Sequence, residues 1–342
     1  MNKKLYHASG YLNVPYIIER GNTFTFIIGA RGVGKSYGMT DYLFNHRDAK
    51  AEKSKFIYLR RSSPELDAVT ADLMNPFKAY TDKHPEMNIR IEPFKKYGRI
   101  QLDDIDVGFA AALSTFRNIR GVDFSDFDTI FYDEFIPEAS ARPIKNEYEA
   151  FVNMVETVNR NRELEGLPPV RVILMANSND LMNPIFIGLN IVNKIYKMQE
   201  KKIDIYDDPS RALSVVVPFD SPISEAKRET DLYKLTAGTR FQDMALDIVF
   251  RVDSSAIHPM PLIEYRPVCR YAEMNVYRHK SRQEYYVSCN AIKYKNVYAF
   301  STADADTKRF ITKYSYLMFA YLEDHVRFED AVSLAMFEKL FL

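Results

Sequence analysis

Residues 23–36 read TFTFIIGARGVGKS. The first six are a short run of apolar and β-favouring residues, the pattern of a buried strand. Gly29 to Ser36 then match G-x-x-x-x-G-K-[ST], the phosphate-binding loop. Glycines let such a loop curl, so that the backbone N–H groups of Gly29, Ala30, Arg31, Gly32, Val33 and Gly34 face an anion. The helix that begins beyond them adds the positive end of its dipole. Lys35 is placed to reach the β- and γ-phosphates of a nucleotide, and the Ser36 hydroxyl to ligate Mg²⁺. Of the 12 glycines in the chain, Gly29, Gly32, Gly34 and Gly38 fall within ten residues. A strand before and a helix after favour a phosphate site over a glycine-rich surface turn.

The surrounding pattern has the same periodicity. Residues 56–59, 129–132 and 170–176 are continuous apolar runs, as expected of parallel strands buried on both faces. Residues 36–45, 64–80 and 146–162 have helical spacing, and 88–113 reads as a meander of three short strands. Strands alternating with helices predict an α/β sheet. Beyond Tyr206 the texture changes. Prolines at 209, 218 and 222 mark a connector, 223–235 reads as helical, and 262–298 is strand-like and rich in Tyr and Val. Two amphipathic helices close the chain, at 308–323 and 328–341. The organisation expected is a first domain at 1–208, a linker at 209–236, and a smaller α+β domain at 237–342.

Residues 129–134 (TIFYDE) end an apolar strand in two acids. At the carboxyl edge of the sheet, Asp133 would hold Mg²⁺ through water, and Glu134 would orient and deprotonate an attacking water. That pair points to hydrolysis rather than to transfer onto a bound acceptor. Asn177 follows the strand at 170–176. It either senses the terminal phosphate or caps the turn at 177–180. Arg160 and Arg162 close the helix at 146–162, with Arg160 projecting away from its apolar stripe. Arg160 reads either as an arginine finger for a neighbouring subunit or as a cation on the helix C-terminus. Arg31 is the rival in cis. Arg60 and Arg61 read by pattern as solvated charges. Arg117 and Arg120 lie in a loop before the Asp133 strand that could line a pore and meet phosphates.

The chain has 342 residues, 46 Lys plus Arg and 46 Asp plus Glu, so the net charge is zero. That balance does not exclude a nucleic-acid partner, because the charges are unevenly placed. Residues 266–295 hold seven basic side chains, Arg278, Lys280 and Arg282 among them, against Glu273 and Glu284. Five tyrosines are interleaved, which suits nucleic-acid contact; an edge strand using cations against mispairing is the alternative. Two cysteines exclude a disulfide scaffold and fit a reduced, cytoplasmic setting. No apolar stretch approaches a membrane span. The histidines lack metal-ligand spacing.

Residues 26–38 (FIIGARGVGKSYG), 58–66 (YLRRSSPEL), 129–135 (TIFYDEF) and 156–162 (ETVNRNR) together resemble the genome-packaging ATPases of small podophages of the phi-29 type. The likeness continues more weakly through 205–208 (IYDD) and 327–330 (RFED). It implies a P-loop NTPase of the ASCE type, joined through the connector to an RNase H-like domain without nuclease activity. It implies ATP and Mg²⁺ as cofactors, and a homopentameric ring at the portal (connector) of a prohead. There the ring would work beside a structural packaging RNA and drive double-stranded DNA inward. Such a motor acts in the host cytoplasm, docks transiently on the prohead and is absent from the mature virion. On this resemblance Arg160 is the trans-acting arginine, Arg60 a lid-like arginine at the nucleotide, and Arg120 a DNA-facing loop position. Where one member of the family carries a lysine in the 58–66 segment, this chain has Ser63, so that lysine's role does not transfer. The alternative is a terminase-like ATPase that also cuts DNA. Asp253 and Glu264 are the nearest acids on the C-terminal strands, and neither sits in a DxD-like pair.

Overall fold

A computed structural model describes residues 3–47, 54–71, 75–119, 121–138, 141–178, 180–248, 250, 256–289 and 297–341. The chain divides into two compact units. One comprises Met1–Gly188 and Lys197–Phe250, the other Leu189–Tyr196 and Arg251–Leu342.

Nine strands of the first unit form one sheet. They are β1 (Phe24–Ile28), β2 (Lys55–Arg60), β3 (Ile89–Phe94), β4 (Tyr97–Leu102), β5 (Ile105–Ala112), β6 (Phe127–Asp133), β7 (Arg171–Ala176), β8 (Ile205–Asp208) and β9 (Leu213–Val216). The order is β3-β4-β5-β2-β6-β7-β1-β9-β8. From β5 to β9 all neighbours are parallel. The outer pairs are antiparallel. β1, β2, β6 and β7 are buried along most of their length, which is why their sequences are continuous apolar runs rather than alternating ones. Ile27, Phe56, Tyr58, Phe131, Ile173 and Val216 meet in a core that also takes Met39 from the helix after the loop.

The helices follow in chain order: α1 (Val14–Arg20), α2 (Lys35–Asp41), α3 (Ser63–Thr70), α4 (Lys78–Thr81), α5 (Glu147–Asn159), α6 (Pro184–Gly188), α7 (Val192–Lys201), α8 (Pro222–Arg228), α9 (Asp231–Leu235) and α10 (Arg240–Leu246). The 58–66 segment is explained by α3, where Ser62 and Glu65 form a capping box ahead of Leu66.

Several expected elements are shorter or split. The 64–80 helix resolves into α3 and α4. The helix expected over 146–162 stops at Asn159, because Arg160 takes a positive φ of 40° and leaves helical geometry. The 209–236 segment, read as a linker, instead supplies β9, which pairs with β1, together with α8 and α9, so the first unit reaches Phe250.

In the second unit, β10 (Tyr265–Tyr271), β11 (Met274–His279) and β12 (Tyr285–Ser288) form an antiparallel meander. β13 (Tyr298–Phe300) joins β10 and β14 (Val326–Phe328) joins β12, both in parallel. The helices are α11 (Asp304–Lys313), α12 (Tyr316–Leu322) and α13 (Ala331–Phe341). The helix expected over 308–323 breaks at Tyr314 and Ser315. Cys269, Met274, Val276 and Val287 from the sheet and Phe310, Leu317, Leu334 and Phe337 from the helices make the core. Among the described residues no helix is long and apolar enough to cross a membrane.

Candidate nucleotide-binding site

β2, β6, β7 and β1 are consecutive parallel neighbours, so their carboxyl ends lie along one edge of the sheet. Ligands of open parallel sheets bind outside that edge. Arg60 closes β2, Asp133 closes β6, Asn177 follows β7, and the phosphate loop follows β1. Strand order thus gathers four stretches that lie far apart in sequence.

The loop has the backbone a phosphate cradle requires. Gly32 and Gly34 take φ values of 71° and 95°, the left-handed region that favours glycine. A Cβ at Gly34 would press on the Tyr11 ring, and one at Gly32 would overlap the Lys227 ammonium. Lys35 opens α2 and is buried. Its Nζ donates to the carbonyls of Gly29 (3.0 Å) and Ala30 (2.7 Å) and to Asn177 Oδ1 (2.9 Å). Burial lowers its pKa to about 8, against the opposing pull of Asp133 and Glu134. The Ser36 hydroxyl-bearing residue is exposed on the next position of α2. Asn177 is therefore engaged with the loop lysine, while on the first turn of α6 the Ile185 N–H donates to Asn183 Oδ1.

Asp133 is buried, and Tyr58 Oη donates to its Oδ2 at 3.0 Å. Burial pushes its carboxyl above the usual range, and Arg60 pulls the other way. Glu134 turns the chain with φ of 52° and stays half exposed. Arg60, expected at the nucleotide, is committed to these acids, at 3.4 Å from Asp133 Oδ2 and 2.5 Å from Glu134 Oε2. Tyr58 was not singled out by pattern, because an apolar-run tyrosine reads as core until the strand beside it is known. A glycine-rich cradle, a buried lysine and a two-acid strand end fit a nucleoside triphosphate, with Ser36 and Asp133 available to a divalent cation.

The remaining candidates are dispersed. Arg31 reaches Glu138 at 2.8 Å on the surface. Arg61, read as a solvated charge, is buried and makes a two-pronged pair with Glu147 at 2.7 and 2.9 Å. Arg160 is exposed and donates to the carbonyls of Thr157 (3.2 Å) and Val122 (2.8 Å). Arg162 binds the carbonyls of Ser125, Phe127 and Pro168. Arg117 is exposed on a 3₁₀ segment, and Arg120 lies outside the described residues.

In the second unit Arg278, Lys280 and Arg282 are exposed, with Arg266 directly opposite Arg278 across the β10–β11 pair. Among the described interleaved tyrosines, Tyr285 lies directly opposite Arg278 across the β11–β12 pair, but none is exposed. Tyr271, Tyr277 and Tyr286 are buried, and Tyr285 is half buried against Tyr316. The cause is that β11 is covered on both faces, with Val276 in one apolar cluster and Tyr277 in another. Tyr294 lies outside the described residues.

The profile of the podovirus DNA encapsidation protein (Gp16) family matches residues 1–339. The chain is a member of that family. A DNA packaging protein of Bacillus phage phi29 is 32% identical over 255 residues, covering 74% of this chain and 68% of that protein. Two solved structures have a similar fold. One, the bacteriophage Phi-29 viral genome packaging motor assembly, gives a TM-score of 0.69 at 23% identity, over 97% of this chain and 98% of the other. The second, the Phi-28 gp11 DNA packaging motor, gives 0.62 at 18% identity, over 94% of each chain. The phosphate loop, the Asp133–Glu134 strand end and Arg160 all fall within the span that matches the Gp16 family.

Proposed function

We propose that this chain is the ATP-hydrolysing subunit of a motor that moves double-stranded DNA into a preformed prohead. The observation that carries the reading is the gathering of Lys35, Asn177, Asp133 and Glu134 at one sheet edge in a member of the encapsidation family. β7 stands between the loop strand and the acid strand, the arrangement expected of the ASCE class. When bound, ATP with Mg²⁺ supplies the phosphoanhydride whose cleavage drives movement. The loop amides and Lys35 bind its phosphates, Ser36 and Asp133 hold the cation, and Glu134 takes the proton of the attacking water. Arg60 keeps Glu134 oriented before that step. Arg160 acts in trans in a ring, which the family resemblance makes pentameric.

The surface carrying Arg266, Arg278, Lys280 and Arg282 is proposed to meet phosphate backbones, of DNA or of a structural RNA at the portal. The antiparallel β10–β11–β12 meander with β13 alongside supports an RNase H-like reading of the second unit. An active nuclease is not favoured. Glu264 is engaged by His279 at 3.5 Å and Arg282 at 3.9 Å, and Asp253 lies outside the described residues. The host cytoplasm, with transient docking on the prohead, is the proposed setting. The test is DNA protection from nuclease inside proheads supplied with this chain. Protection with ATP and none with a non-hydrolysable analogue is expected. Protection with the analogue would overturn the reading.

A further inference from the structure

Two contacts on the crest of the phosphate loop come from a segment with no part in the loop's signature. Arg31 N–H donates to Ala245 C=O at the end of α10 (3.1 Å), and Lys227 Nζ donates to Arg31 C=O (2.6 Å). We propose that Lys227 is a second phosphate-contacting cation of the nucleotide site, delivered by α8. The proposal rests on the ATP-site reading above.

Position comes first. The Lys227 ammonium lies so close over Gly32 that a Cβ there would overlap it. It therefore stands on the crest of the loop, while Lys35 lies beneath, among the Gly29 and Ala30 carbonyls. Chemistry comes second. Arg31 is paired with Glu138, and Arg228, the next residue on α8, is paired with Asp247 and Glu225. Among the described residues no carboxylate pairs with Lys227, whose hydrogen-bond acceptor is a backbone oxygen. Electrostatics comes third. Burial lowers the pKa of the Lys227 amine, and an anion that pairs with it would restore the charged form. Two ammonium groups held at one loop, each bonded to neutral oxygens, are relieved by an anion that takes both. A polyphosphate has the oxygens to do so.

The helix that carries Lys227 is anchored for this. Ser221 caps α8 through Ser224 N–H, and Arg228 ties it to Asp247 just past α10. A phosphate that draws Lys227 off the Arg31 carbonyl thus acts on α8 and, through Asp247, on the end of α10.

The test uses the full chain and two readouts. In calorimetric titration with Mg-ATP, Lys227→Gln should bind about ten-fold more weakly, the loss of one charge-assisted hydrogen bond. Lys227→Arg should recover most of the affinity. In the wild-type chain, Mg-ATP should protect the Lys227 amine from acetylation, read by peptide mass spectrometry, so no variant need fold for that measurement. Unchanged or tighter binding in Lys227→Gln, or acetylation unaffected by saturating ATP, overturns the proposal and makes Lys227 a strut for the loop. Lys35→Ala is the control. If the wild-type chain and Lys35→Ala both fail to bind ATP, the ATP-site reading is what has failed.

Discussion

Lys35 is a buried ammonium whose acceptors are its own loop carbonyls and Asn177, and that position sets a pH dependence. Its pKa in the folded chain is near 8, against 10.5 for a free lysine. Below about pH 8 both folded and unfolded chains hold the proton, and the cost of burying the charge is present in full. Between that value and the unfolded pKa only the unfolded chain keeps it, so stability should rise with pH through this window. Nucleotide affinity should move the other way, falling as pH rises through about 8, because the uncharged amine no longer attracts phosphate. Lys35→Met should flatten both trends, in urea denaturation and in calorimetric titration. Glu134 has a separate role. Glu134→Gln should lower ATP turnover by about 100-fold or more while nucleotide still binds, since a general base contributes on that scale. A phosphate-release assay beside a binding titration checks it, and retained turnover would remove Glu134 from the reaction. Lys35, Asp133 and Glu134 were legible in the sequence because glycine spacing and a run of apolar residues ending in acids are local signals. Tyr58 and Lys227 were not. Each reaches the site only because of which strand or helix lies next to which.

At the scale of elements, the end of β2 and the start of α5 are joined by Arg61 and Glu147. The pair is nearly inaccessible to solvent, and Arg61 also donates to the Arg142 carbonyl at 2.8 Å. Removing one partner strands the other charge, so Glu147→Ala should cost about 3–5 kcal/mol in urea denaturation. Replacing both residues by Met and Leu should cost far less, because no unpaired charge is left behind. Sequence reading placed Arg61 in solvent. Nothing local separates a charged residue at a strand end that meets a buried acid from one that meets water. The tyrosines of β11 and β12 were misplaced for a related reason. Alternation locates a side chain on a face, but which faces are covered depends on distant segments: Met260 and Leu262 pack on Tyr277 and Tyr286, and Tyr316 packs on Tyr285. Helix ends were misjudged where a single residue leaves helical geometry, as Arg160 does.

For the whole molecule, the zero net charge coexists with an uneven distribution. Arg266 faces Arg278 directly across an antiparallel pair, a like-charge juxtaposition that costs stability by itself and that an anionic partner would relieve. If subunits share their sites in a ring, Arg160→Ala chains mixed with wild-type chains should depress ATPase activity more than dilution does. Loss in strict proportion to the mutant fraction would confine Arg160 to its own subunit.

The sheet also imposes an order in time. β1 precedes both of its sheet neighbours in the chain, since β7 and β9 end at Ala176 and Val216. Until then the strand that presents the phosphate loop has unpaired edges, and loop closure over such separations is slow. The proposed nucleotide site is thus completed only once β7 and β9 have been made. A product terminated at residue 208 would keep every residue of the loop and of the acid pair. It would lack β9, and would carry an open apolar edge on β1, prone to pair with other nascent chains.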